Sequence, residues 1–138
     1  MEISTDKARL NVSLIHQFLS EQSAWAKGIP LEKVQRSIEH SLCFGAYIDG
    51  KQIAFARVVA DKATFAYLMD VFVLPAYRGQ GHAKTLMHAV QEHPDLQEIR
   101  RFILVSSTAR GLYEKFGFQA PAKPETFMEI NRPTIYLR

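Results

Sequence analysis

The densest chemistry in the chain lies between residues 70 and 83: Asp70-Val71-Phe72-Val73-Leu74-Pro75-Ala76-Tyr77-Arg78-Gly79-Gln80-Gly81-His82-Ala83. An apolar run of strand type leads into a glycine-bearing loop. A helical pattern follows through Leu86, Met87 and Val90 and stops at Pro94. The free N–H groups of a helix start, with its positive dipole end, form an anion site. Gly79 and Gly81 let the backbone approach a phosphate closely, and Arg78 adds a fixed positive charge. That combination suits a phosphate or pyrophosphate. The Gly-Lys-Ser/Thr ending of a P-loop and the Gly-x-Gly-x-x-Gly dinucleotide fingerprint are both absent.

Other residue types invite a role, each beside a plainer alternative. Asp70 is a charge between Met69 and Val71 in an apolar strand, where burial without a partner is costly. A buried carboxyl titrates higher, which suits a base; an Asp at a strand bulge can instead cap N–H groups or pair with an Arg. Trp25, between two helical patterns, either lines a pocket or plugs the edge of the core. Tyr67 either lines a pocket or packs on its strand, and Tyr113 lies on the apolar face of a short helix. Arg57 faces a ligand or, on the plainer reading, solvent. His82 stands inside the loop, where it either touches a phosphate or is a tolerated surface side chain. The five histidines show no metal-ligand spacing, so no metal is expected. Cys43 reads as a small core residue.

The elements that must position these groups follow from periodicity. Leu10, Leu14, Ile15, Phe18 and Leu19 predict a helix over roughly 10–21, and Pro30 opens a second with Leu31, Val34 and Ile38. From Leu42 the period falls toward two. Asp49-Gly50 then marks a hairpin into Gln52–Ala60, and Asp61-Lys62 turns the chain into Thr64–Leu74. After the loop and its helix, Phe102–Val105 reads as a buried strand, parallel to the strand before the loop. A short helix through Ala109, Leu112, Tyr113 and Phe116 ends at Gly117. Phe127–Ile130 and Thr134–Leu137 are expected to be strands limited by Pro121, Pro124 and Pro133.

Composition bounds the answer. The 138 residues predict a single domain, 1–138. With 47% hydrophobic and 22% charged residues the chain falls among folded proteins rather than disordered ones. No apolar stretch approaches the ~20 residues of a membrane span, and one cysteine excludes an internal disulfide framework. A cytoplasmic location is expected, with no membrane partner. The net charge of +3 is scattered, and only Arg100-Arg101 forms a basic doublet, so no nucleic-acid partner is expected.

Two segments together resemble the GNAT N-acetyltransferase superfamily. Arg78-x-x-Gly81-x-Ala83 is similar to its acyl-CoA pyrophosphate loop, Gln/Arg-x-x-Gly-x-Gly/Ala. Ala109-Arg110-Gly111-Leu112-Tyr113-Glu114-Lys115-Phe116-Gly117-Phe118 resembles its Ala-x-x-Leu-Tyr-x-Lys-x-Gly-Phe signature. The segments lie in the family's order, and the resemblance spans about residues 1–120. It implies an α+β fold: a central mixed antiparallel and parallel sheet flanked by about four helices, with a strand splay at the cofactor site. It implies acetyl-CoA as co-substrate and acetyl transfer to the primary amine of a small molecule by direct attack in a ternary complex. The alternatives are an acyl-CoA-binding sensor or interaction module without turnover, and transfer to a protein amine.

By the same resemblance, Arg78, Gly79, Gln80, Gly81, His82 and Ala83 hold the CoA pyrophosphate. Val71, Phe72 and Val73 lie where main-chain groups meet pantetheine, with the Val71 N–H toward the thioester oxygen. Tyr113 is the general acid and Asp70 the base or amine anchor; Trp25, Tyr67 and Asp70 border the acceptor. Ser106 stands where the family often has Asn, which puts one cofactor contact in doubt. Dimers are frequent among such proteins, so the resemblance leans toward a homodimer.

Overall fold

The computed structural model describes residues 1–137. Nine regular elements occur in the order β1 (Glu2–Ser4), α1 (Val12–Gln17), α2 (Leu31–Glu39), β2 (Leu42–Ile48), β3 (Lys51–Ala60), β4 (Phe65–Val73), α3 (His82–Glu92), β5 (Arg101–Leu104) and α4 (Arg110–Glu114). The five strands form one sheet in sequence order. All neighbours are antiparallel except β4 and β5, which run parallel across the α3 crossover. This is the expected α+β fold: a five-stranded mixed sheet with four helices.

Local chemistry sets the boundaries. Asn11 caps α1 by accepting the Leu14 N–H at 3.1 Å, and a single π-helical turn, Phe18–Gln22, prolongs the helix. Pro30 precedes the first turn of α2. Asp49 and Gly50 both hold positive φ, 50° and 77°, and Ile48 pairs with Lys51. That geometry defines a two-residue hairpin whose twist suits the strands it joins. Asp61 ties the next turn, accepting from the N–H groups of Ala63, Thr64 and Phe65 and from the Thr64 hydroxyl. These bonds, the Thr64 hydroxyl foremost, hold its carboxyl below the usual carboxylate range.

Strand alternation then divides the core into two layers. Phe44, Ala46, Ala56, Val58, Ala66 and Leu68 meet Leu86, Met87 and Val90 of α3 and Tyr113 of α4. On the other face, Cys43, Phe55 and Phe72 meet Ile15, Phe18 and Leu19 and, from α2, Val34 and Ile38. Phe72 stacks on Phe18 with ring centroids 4.0 Å apart. Cys43 is buried at 1% exposure, and burial pushes its thiol pKa up to about 11.

The C-terminal part departs from expectation. Phe127–Ile130 forms no regular element and pairs with no strand among the described residues, and Ile135–Leu137 is a 3₁₀ turn rather than a strand. Alternation supplies a strand's side-chain pattern, but a strand exists only with a partner's ladder. No helix among the described residues is long and apolar enough to cross a membrane.

Candidate functional site

The loop after β4 presents unpaired donors. Pro75–Tyr77 makes one 3₁₀ turn, and the chain then passes through Gly79 and Gly81 at φ 76° and 82°. A Cβ built on either glycine would meet nothing within 4 Å, so the surface above them is open. Among the described residues no acceptor is recorded for the N–H groups of Gly79 to Lys84. Arg78 Nε donates to the Val73 carbonyl at 2.9 Å, which holds its charge beside the loop. The His82 ring is half-buried, and its Nε2 is enclosed without a partner. Converging N–H groups, a helix start, a guanidinium and an orphaned ring nitrogen fit the diphosphate of a CoA-type group.

Beside the loop the sheet opens. β4 and β5 pair from Phe65–Arg101 to Leu68–Leu104 and no further, while β4 continues to Val73. Met69–Val73 therefore has no neighbour on its β5 side. The same stretch is bulged: pairing to β3 passes from Met69–Arg57 to Phe72–Phe55, leaving Asp70 and Val71 without register partners. Asp70 carries the bulge in the left-handed region at φ 54°, a conformation Asp tolerates better than most residues. The Phe72 ring is turned into the α1 layer. From Val71 to Val73, only main chain is thus offered along the edge of the opening.

The Asp70 carboxylate is not alone. Its Oδ2 accepts from Arg57 Nε and its Oδ1 from Trp25 Nε1, both at 2.8 Å. The Arg57 and Asp70 side chains are only 11% and 7% exposed. Arg57 is therefore not the solvent-facing residue of the plainer sequence reading. Its Nη1 donates to Ser41 Oγ at 3.1 Å, and Ser41 donates to the Ser37 carbonyl at 2.6 Å. Trp25 is half exposed on the α1–α2 connection, and Tyr67 is half-buried on the strand face that carries Arg57. Each Asp70 oxygen keeps a free lone-pair site, so the carboxylate can still accept from one further donor.

Tyr113 and Ser106 belong to the opposite layer. Tyr113 is 8% exposed, and its ring meets Phe118 edge-on. Burial raises its phenol above the ordinary tyrosine value, so it stays protonated at neutral pH. The hydroxyl has no partner within the chain and is not sealed from solvent. Ser106 Oγ accepts the Ala109 N–H at 3.0 Å, fixing the entry to α4 and leaving its own O–H free to donate.

The structure thus joins Trp25 to Asp70, places Tyr67 on their face, and sets the loop at the end of β4. Tyr113 lies across the sheet. The plainer sequence reading of Asp70, at a strand bulge and paired with an Arg, is what the structure shows; that the Arg is Arg57 was not read. A signal existed: each is the one charge inside an otherwise apolar strand run, and two such charges of opposite sign on neighbouring strands invite pairing. Among the described residues no group of three or more His, Cys, Asp or Glu is placed to hold a metal ion.

Comparison with known proteins agrees with this geometry. The acetyltransferase (GNAT) domain family matches residues 39–120. A crystal structure of a protein assigned to the GNAT family from Xanthomonas campestris pv. campestris is 56% identical, with a TM-score of 0.96 over 98% of this chain and 95% of that one. A Gibberella zeae protein assigned as an acetyltransferase is 28% identical over 133 residues, covering 82% of this chain and 75% of that protein. A Clostridium acetobutylicum protein crystallised with acetyl-CoA shares the fold, with a TM-score of 0.66 at 19% identity over 94% of each chain. The chain belongs to the GNAT acetyltransferase family.

Proposed function

We propose that this chain transfers an acetyl group from acetyl-CoA to the primary amine of a small molecule, by direct attack within a ternary complex. One observation carries the reading. The gap between β4 and β5 is flanked by unpaired N–H groups at the loop, and the Trp25–Asp70–Arg57 cluster lies on one face of the sheet with the Tyr113 phenol on the other. When bound, acetyl-CoA supplies an activated thioester carbonyl. The loop from Arg78 to Ala83 holds the diphosphate, and main-chain groups of Val71 and Val73 align the chain that follows. The Val71 N–H, free of register partners, donates to the oxygen on which charge develops, an effect often worth ~3 kcal/mol. The Tyr113 phenol, kept neutral by burial, donates its proton to the departing sulfur.

Asp70 is assigned as an anchor for the acceptor amine. Arg57 already matches its charge, so the proton leaves the amine through water rather than onto this carboxylate. Trp25 and Tyr67 border the acceptor, and Ser106 offers its O–H where the family often has an amide. The single buried thiol and the donor molecule fit a cytoplasmic setting, and the working unit is a pair of copies.

Thermal melting with acetyl-CoA, CoA and ATP in parallel tests the first half. A ligand at ~100 times its Kd stabilises a fold by about 2.7 kcal/mol, several degrees for a chain of this size. We expect acetyl-CoA and CoA to raise Tm and ATP to do little. Thiol release with polyamines, amino acids and aminoglycosides tests the second half. A CoA-dependent shift without release by any amine would leave a binding module; no shift would overturn the reading.

A further inference from the structure

The sheet face that carries the Asp70 carboxylate is only partly covered. The α1–α2 layer packs on Cys43, Phe55 and Phe72. Val59, Phe65, Tyr67, Met69 and Ile103 share that face and belong to neither core layer. Tyr67 pairs with Val59 on one side and Ile103 on the other, an apolar row across three strands. Phe65 and Met69 lie one step to either side of Tyr67 along β4, because side chains two apart point the same way. Val59 is 39% exposed and Phe65 38%, while Tyr67, Met69 and Ile103 are half-buried. The result is an apolar floor with a carboxylate at one end. Trp25 stands at that end, tied to Asp70 by its indole N–H. Its loop is braced, since Ser23 Oγ accepts the Ala26 N–H at 3.0 Å and donates to the Leu19 carbonyl at 2.6 Å.

Charge narrows what fits. Arg57 is engaged through all three nitrogens: Nε with Asp70, Nη1 with Ser41 Oγ and Nη2 with Met69 Sδ at 3.5 Å. The Asp70 charge is thus balanced, and its cation is already spent. A carboxylate carried next to the amine would meet Asp70 with no free cation beside it. The far end of the floor bears the opposite sign. Arg101 pairs in register with Phe65, and its guanidinium lies 5.1 Å from the centroid of the Phe127 ring. The five steps of strand from Phe65 to Asp70 span about 16 Å. A polyamine with one ammonium on Asp70 would lay its others over apolar side chains or toward this cation.

We propose that the acceptor is a monoamine with a flat apolar body, an arylalkylamine in chemical class. The inference rests on the acetyl-transfer reading for its chemistry, but not for binding. The ammonium takes the free lone-pair site of Asp70, beside the half-exposed indole of Trp25, whose face attracts a cation. The body lies across Tyr67, Val59 and Ile103 and removes their exposed apolar surface from water. Amino acids and polyamines are disfavoured by the charges at the two ends.

Trp25 is the only tryptophan, so its emission reports on this end of the floor without turnover. Binding of 2-phenylethylamine, spermidine and glycine is followed by that emission and by calorimetry in the presence of CoA. Thiol release from acetyl-CoA is measured with the same three amines. 2-Phenylethylamine is expected to bind at least about 10-fold more tightly than the other two and to give the highest kcat/KM. Val59→Asn with Ile103→Asn is expected to raise its Kd and KM about 10-fold, with acetyl-CoA affinity unchanged and the fold retained by circular dichroism and Tm. Spermidine or glycine binding as tightly overturns the proposal. So does the absence of binding by all three amines, or a double variant with its preference intact. Selective binding of 2-phenylethylamine without thiol release upholds the ligand class and overturns the acetyl-transfer reading instead.

Discussion

The two layers over the sheet treat their polar groups in opposite ways. On the α1–α2 side, Arg57, Asp70, Trp25 and Ser41 use one another as partners in a cluster that is buried except at Trp25. On the α3 side, the N–H groups of the loop and the Tyr113 hydroxyl have no partner in the chain. A closed network fixes the backbone that carries it, here the bulge at Asp70. Open donors keep their full strength for something that arrives. Damage on the first side should therefore register as lost stability, and damage on the second as lost affinity or turnover.

The largest effect should come from opening the closed network. Arg57→Met leaves the Asp70 carboxylate buried without its cation, a change of the kind that costs about 3–5 kcal/mol. Urea denaturation should show that loss, and adding Asp70→Asn should recover most of it. A fully stable Arg57→Met protein would mean the pair is not what holds the bulge. On the open side, Gly81→Glu sets a carboxylate against the diphosphate position and strains a residue at φ 82°. Acetyl-CoA affinity by calorimetry should fall at least ~100-fold, about 2.7 kcal/mol. Unchanged affinity would remove the loop from the cofactor site.

A smaller effect sharpens the contrast. Tyr113→Phe should lower kcat about 10- to 100-fold with acetyl-CoA affinity nearly intact, because the ring stays and only the donor goes. Burial raises the folded phenol's pKa above the unfolded value. The part of stability linked to it is thus present below about pH 10 and lost as pH rises through the folded value. The wild-type rate and melting temperature should both decline on that alkaline limb, and Tyr113→Phe should flatten it for stability. Identical alkaline limbs in the two proteins would take the phenol out of the account.

The elements of the open side were legible in the sequence because their signals are local. Gly79, Gly81 and the helical spacing after them specify a turn and a helix within a dozen residues. Asp49-Gly50 and the alternation around it do the same for the hairpin. Arg57 and Asp70 are a long-range pair, so neither residue's neighbours announce the other. Phe127–Ile130 misled for a related reason: its alternation describes two faces, but what lies beside a strand is not written in its own residues.

The seclusion of Cys43 has a practical side. A thiol titrating near 11 beneath α2 is almost wholly un-ionised at neutral pH and inert to disulfide reagents while the chain is folded. Any colour such a reagent develops from native protein in the presence of acetyl-CoA and an amine then belongs to released CoA alone. The same sulfur becomes reactive once the chain opens. One side chain thus keeps a turnover assay free of background and serves as a built-in reporter of global unfolding.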